Sequence, residues 1–210
     1  MIGIQLQNVS FSYANQTIFN EIDCTFFAGE KICLLGENGS GKTTFLKILC
    51  SLLKPQSGKI RFFDSAFDLD NSSIRKKMGV QLDDNHLLRQ FTVMENISLY
   101  QQLYLGKIDI DKISQWLDRF DLQTYRETQI QHLSQGEQKK VSLIKALIHE
   151  PDVIMLDEPT NSLDQDSKNE LTTILQNMDS KSLIFVSTHD QTWTPSWSTK
   201  SIRIENGKLT

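Results

Sequence analysis

Three cysteines among 210 residues are few, and none is placed to hold a metal. Cys24, Cys33 and Cys50 show no C-x-x-C spacing, and an odd number cannot pair completely. Cys33 sits in an apolar stretch and Cys50 on an amphipathic one, so both read as reduced core residues of a reducing compartment. Long apolar runs are missing as well. No stretch approaches the ~20 residues needed to cross a bilayer. Met1 to Leu6 alternates like a strand and lacks a basic start, so no signal peptide is expected. There is no surplus of positive charge: 22 Lys plus Arg stand against 26 Asp plus Glu, a net charge of −4, which argues against a nucleic-acid binder. Internal repeats and low-complexity tracts are absent. The chain is long enough for a sizeable buried core, and its 39% apolar content is ordinary for a globular protein.

Within that frame the pattern alternates between strand and helix. Ile4 to Val9, Ile22 to Phe27, Lys31 to Leu35 and Lys59 to Phe63 read as strands. Phe45, Leu46, Leu49, Leu52 and Leu53 recur at helical spacing, with Pro55 and Gly58 as the stop. From about Asp84 to Ile130 the chain is mostly helical. Thr92-Val93-Met94-Glu95 is a capping box and Gly106 is a break. A further helix follows Ser134. Val153 to Leu156 and Leu183 to Val186 are buried strands, with the helix of Leu171, Ile174 and Leu175 between them. Ser201 to Leu209 forms a hairpin about Asn206-Gly207.

Three polar elements follow predicted strands, at the carboxyl ends where open α/β sheets bind ligands. Gly36-Glu37-Asn38-Gly39-Ser40-Gly41-Lys42-Thr43 matches G-x-x-x-x-G-K-[ST], between a strand and a helix. Its backbone N–H groups, with Asn38 and Thr44 at its edges, suit phosphate. Lys42 reaches the β- and γ-phosphates, and Thr43 offers a hydroxyl to Mg²⁺. Asp157 closes an apolar strand as a Mg²⁺-holding aspartate does, and Glu158 follows it. Strand neighbours face opposite ways, so Glu158 is assigned a different task, polarising the attacking water. His189 follows the third strand, beside the phosphates. Ser134 to Glu137 is by itself a capping box. Its sharper reading is a second anion site, where Ser134 and Gly136 at a helix N-terminus grip a phosphate. One chain with its own P-loop hardly needs it, so that phosphate would belong to a partner.

Taken together, these motifs resemble the nucleotide-binding domain of ATP-binding cassette (ABC) transporters from end to end. Leu133-Ser134-Gln135-Gly136-Glu137 is similar to the family signature Leu-Ser-Gly-Gly-Gln, with Gln135 and Glu137 as departures. Ser162-Leu163-Asp164 resembles the D-loop that crosses the dimer interface. His189 matches the switch histidine, and Tyr13 the aromatic that stacks on adenine. The Q-loop departs further: counted back from Thr92, its Gln position falls on Asp83, while Gln81 lies two residues earlier. Either Gln81 or Asp83 would serve near the metal. Trp193 and Trp197 read as packing residues, and His86, His132 and His149 as packed or surface residues.

The resemblance implies an α/β P-loop NTPase core with an N-terminal antiparallel β subdomain and an inserted helical subdomain at about 84–150, all within one ATP-binding domain. It implies ATP and Mg²⁺ as ligands, and a homodimer or a heterodimer with another ABC ATPase. It also implies a transmembrane permease partner and a cytoplasmic place at the inner face of the membrane. The lack of a regulatory segment after the last hairpin favours an exporter. Two rival readings are a soluble ABC ATPase acting on ribosomes or DNA, and a nucleotide-binding regulator without turnover.

Overall fold

A computed structural model describes residues 2–14, 16–64, 67–69, 74–82, 86–189, 193 and 196–210. The strands β1 (Ile2–Tyr13), β2 (Gln16–Phe26), β4 (Ser57–Asp64) and β5 (Phe67–Leu69) form an antiparallel sheet in the order β2-β1-β4-β5. A second sheet contains β3 (Lys31–Leu35), β6 (Met78–Gln81), β7 (Val153–Asp157), β8 (Leu183–Ser187), β9 (Lys200–Glu205) and β10 (Lys208–Leu209). Its order is β10-β9-β3-β8-β7-β6, and every pairing is parallel except that of β10 with β9. The helices are α1 (Lys42–Leu49), α2 (Val93–Leu105), α3 (Ile110–Arg119), α4 (Gln135–Leu147) and α5 (Gln165–Asn177). The α/β core with an antiparallel β layer, expected from the sequence, is therefore present.

Strand alternation explains the layering. β3, β7 and β8 carry unbroken apolar runs, Ile32–Leu35, Val153–Leu156 and Leu183–Val186, because both of their faces are covered. Ile32, Leu34, Val153, Met155, Leu183 and Phe185 point into one core, shared with α1 and the antiparallel sheet. Their neighbours Cys33, Ile154, Leu156, Ile184 and Val186 point into the other, shared with α2 to α5. Phe185 and Phe26 join the two sheets edge to face at 4.9 Å. Removing the fully buried Phe185 ring would cost about 3–5 kcal/mol. Cys33 and Cys50 are buried and in no disulfide, as expected, and burial pushes the Cys50 thiol up to about 11. Trp193 and Trp197 pack on each other at 5.2 Å, and the Trp193 indole N–H donates to Thr172 Oγ1 at 2.7 Å.

One local expectation needs correction, and one strand left no mark in the sequence. The helix after the P-loop ends at Leu49, not near Pro55. Ser51 turns the chain left-handed at φ 58°, so Leu52 and Leu53 leave the helical stripe and Leu52 is exposed. β6 was hidden because Gly79 and Gln81 interrupt its apolar run. Gly79 is required there, since a Cβ would lie 2.1 Å from the Ala146 carbonyl of α4. The capping box of α2 is formed as read: Glu95 N–H donates to Thr92 Oγ1, and Thr92 N–H to Glu95 Oε2. Among the described residues no helix is long and apolar enough to cross a membrane.

Candidate active site

The carboxyl ends of β3, β7 and β8 open on one cleft of about 590 Å³. Tyr13, Asn38, Gly39, Gly41, Lys42, Thr43, Thr44, Asp157, Glu158 and His189 line it, so most of the residues singled out in the sequence share one wall. Gln16, Ile18 and Asn161 line it too and carried no motif signal. Gly36 and Ser40 lie behind the cleft: a Cβ on Gly36 would sit 2.5 Å from Ser40 Oγ, which is buried with no partner among the described residues.

The P-loop turns into α1 at Gly41, which caps the helix in a left-handed conformation at φ 107°. No side chain caps α1, and no acidic residue stands in its first turn. Its free N–H groups and the positive end of its dipole therefore face the cleft, a setting that favours an anion. The buried Lys42 side chain curls over the loop, donating to the Gly36 and Glu37 carbonyls at 2.8 and 3.2 Å. Its ammonium also stands 3.8 Å from Glu158 Oε1.

Asp157 and Glu158 differ in surroundings, as expected, but not through strand alternation. β7 ends at Asp157, which is fully buried. Ser187 Oγ, opposite it on β8, donates to Asp157 Oδ1, while Oδ2 is buried without a hydrogen bond among the described residues. A bare buried carboxylate oxygen costs free energy unless a cation completes it. Glu158 has already left the strand, at φ 44°. That left-handed turn aims its carboxylate into the cleft, where Oε2 bonds His189 Nδ1 at 2.9 Å and the His189 N–H at 3.3 Å. Among the described residues no group of three or more His, Cys, Asp or Glu could cage a metal. A cation here would be held by Asp157 and Thr43, completing its shell with phosphate and water oxygens.

Tyr13 stands exposed at the rim, its ring edge-on to Phe11 at 4.9 Å. Gln81 does not reach the cleft. Its side chain is buried, its amide donates to the Leu82 carbonyl at 2.8 Å, and its own carbonyl oxygen has no partner among the described residues. Asp83, the other Q-loop candidate, lies outside the described residues.

Ser134, Gly136 and Asp164 also stand apart from the cleft. Ser134 caps α4 in a full capping box: Glu137 N–H donates to its Oγ at 3.3 Å, and its own N–H donates to Glu137 Oε2 at 2.7 Å. Burial pushes the Glu137 carboxyl up, but the hydrogen bonds from Ser134 and Tyr125 outweigh it and hold it below the usual range. Asp164 caps α5 by accepting from Ser167 N–H at 2.8 Å, and Lys140 reaches its other oxygen at 2.8 Å. Lys140 and the cap hold the Asp164 carboxyl far below its ordinary value.

Known proteins resemble the chain in sequence and in fold. The family model described as ABC transporter matches residues 19–161. A putative ABC transporter ATP-binding protein of Onion yellows phytoplasma is 32% identical over 98% of this chain, which spans only 36% of that longer protein. The ergothioneine transport ATP-binding protein EgtV of Helicobacter pylori is 28% identical over 96% of this chain and 97% of its own. An ATP-binding subunit of an ABC transporter superposes with a TM-score of 0.86 at 23% identity, over 98% of this chain and 87% of that one. A dimeric ATP-binding cassette bound to ADP and Pi superposes with a TM-score of 0.83 at 24% identity, over 98% and 96%.

Proposed function

This chain belongs to the ABC transporter family, as an ATP-binding ABC-type ATPase, and from that premise we propose that it energises a membrane transporter through a separate permease subunit. We propose one cassette domain with its helical part at about 84–150, closing on a second ABC ATPase with ATP between them. The observation that carries the catalytic reading is the Glu158 carboxylate. It is set in the cleft by a left-handed turn, 3.8 Å from Lys42 on one side and 2.9 Å from His189 on the other.

In this reading Tyr13 stacks on the adenine, worth about 1–3 kcal/mol. Asn38 to Thr44 wrap the phosphates, and Lys42 exchanges its loop carbonyls for β- and γ-phosphate oxygens. Asp157 and Thr43 hold Mg²⁺, which when bound neutralises charge on the phosphates. Glu158 accepts the proton of the water that attacks the γ-phosphorus as the bond to the bridging oxygen breaks. His189 keeps that carboxylate aimed and contacts the γ-phosphate. Ser134 and Gly136 grip the partner's γ-phosphate, and Asp164 belongs to the loop that meets the partner. Ser134 and Asp164 are exposed and outside the cleft, which supports a role in trans.

The protein would lie at the inner face of the membrane, bound to its permease, and export is the direction proposed. Steady-state ATPase assay of the purified chain tests the enzymatic reading. Co-purification of an integral membrane protein, followed by ATP-driven accumulation in inverted vesicles, tests the transport reading. ATPase activity with no membrane partner would favour the soluble alternative.

A further inference from the structure

The helix capped by Ser134 also touches the backbone of the chain's own Asp157–Glu158 pair. Lys139 lies one turn into α4, and its side chain is only 8% exposed. Its ammonium donates to the carbonyl oxygen of Asp157 at 3.3 Å. That carbonyl belongs to the peptide joining Asp157 to Glu158. The other side of the same peptide is held as well, because the Glu158 N–H donates to Ser187 O at 3.1 Å and Ser187 Oγ at 3.0 Å. The orientation of this peptide sets the left-handed turn at Glu158, and hence the direction of its carboxylate. Burying an ammonium is costly unless it is well bonded, so the contact is not a surface accident. The neighbouring Lys140 clips the same helix to Asp164.

We infer that Lys139 is a positioning residue: it fixes the Asp157–Glu158 peptide to α4 and so ties the aim of Glu158 to the helix whose N-terminus presents Ser134 and Gly136. The first half concerns this chain alone. The second half, that a phosphate gripped at Ser134 in trans is felt at Glu158 in cis, rests on the dimeric reading above. Rigid secondary elements with packed contacts carry such coupling. The consequence is positive cooperativity between the two ATP sites.

The test compares Lys139→Met, Lys139→Arg and wild type for ATP affinity, kcat and the Hill coefficient, with melting temperature as a control. Lys139→Met is expected to bind ATP as wild type does. It should lose about ten-fold or more in kcat, as a catalytic group displaced by a fraction of an ångström does, and its Hill coefficient should fall toward one. Lys139→Arg should restore much of both. Adding Lys139→Met to Glu158→Gln should cost little further, because the lysine acts through that carboxylate. A merely structural lysine would instead lower kcat additively in the double variant. If the methionine variant does not fold, Lys139→Gln, shorter but still polar, is expected to show the same losses. Wild-type kcat and cooperativity in a folded Lys139→Met or Lys139→Gln would overturn the inference. If wild type itself shows a Hill coefficient of one and no ATP-dependent dimer, the dimeric reading and the coupling both fail, and the kcat arm alone decides the positioning of Glu158.

Discussion

Gly136 in the first turn of α4 packs against the backbone of Ser162 so closely that a Cβ would lie 2.6 Å from the Ser162 carbonyl oxygen. Ser162 is itself left-handed, at φ 66°. The helix of the Ser134 motif and the loop before α5 are thereby fitted to each other at Gly136 and tied again by Lys140 and Asp164.

Gly136→Ala should push that loop out of place while the P-loop stays intact. Monomeric ATP affinity should hold, and ATPase activity should fall by about 10²-fold, the scale for misplaced catalytic groups. Titration with a fluorescent ATP analogue beside steady-state turnover checks both. Equal losses in binding and turnover would show that the change damages the whole fold.

Ser134→Arg places a bulky cation at the exposed cap of α4, away from the chain's own cleft. Hydrolysis should stop while monomeric nucleotide binding is nearly unchanged. A parallel collapse of binding would mean that Ser134 serves its own site or folding, and not a partner's nucleotide.

The Q-loop register is decided by metal dependence. Gln81 is buried outside the cleft, so Gln81→Ala should leave the Mg²⁺ requirement of the ATPase unchanged. Asp83→Gln should raise the Mg²⁺ concentration for half-maximal activity, because a carboxylate binds a hard cation better than an amide. The opposite ranking would make Gln81 the sensing residue.

Lys145 supplies a pH signature. It lies on α4 with its side chain buried toward α2, its ammonium 4.9 Å from the Tyr100 ring, and burial pulls it down from 10.5 to about 8. Between those values the unfolded chain carries a proton that the folded one lacks, so stability rises with pH across that window. Below about 8 the folded protein must charge a buried amine, and that gain is gone. The raised thiols Cys24 and Cys50 act in the opposite sense toward pH 10, so the Lys145 contribution is read as a difference: in urea denaturation at pH 7.5 and 10, wild type should gain stability relative to Lys145→Met.

The parts legible in the sequence were those in which spacing alone dictates geometry. The P-loop, the ends of β7 and β8 and the caps at Thr92 and Ser134 each announce themselves within about ten residues, and they stand where local chemistry puts them. Contacts between distant segments left no such mark. Lys139 looks like any helix lysine until β7 is laid beside α4, and Ser187 like any strand end until Asp157 is paired with it. Strand alternation would turn Glu158 away from Asp157, but in the fold it is the left-handed turn at Glu158 that aims its carboxylate. The helix after the P-loop looks longer in the sequence than it is, because Leu52 and Leu53 keep the helical period even though Ser51 breaks the backbone.

In the proposed cycle two cassettes close on ATP, and Glu158 ends the closed state by hydrolysis. Its most direct test is size-exclusion chromatography with light scattering on Glu158→Gln, with and without saturating ATP and Mg²⁺. That variant keeps every phosphate contact but loses the proton acceptor, so turnover should drop by about 10²-fold or more. The variant should be a monomer without nucleotide and a stable dimer with ATP, and Ser134→Arg added to it should abolish that dimer. A species that stays monomeric at saturating ATP and Mg²⁺, while still binding the nucleotide, would contradict it.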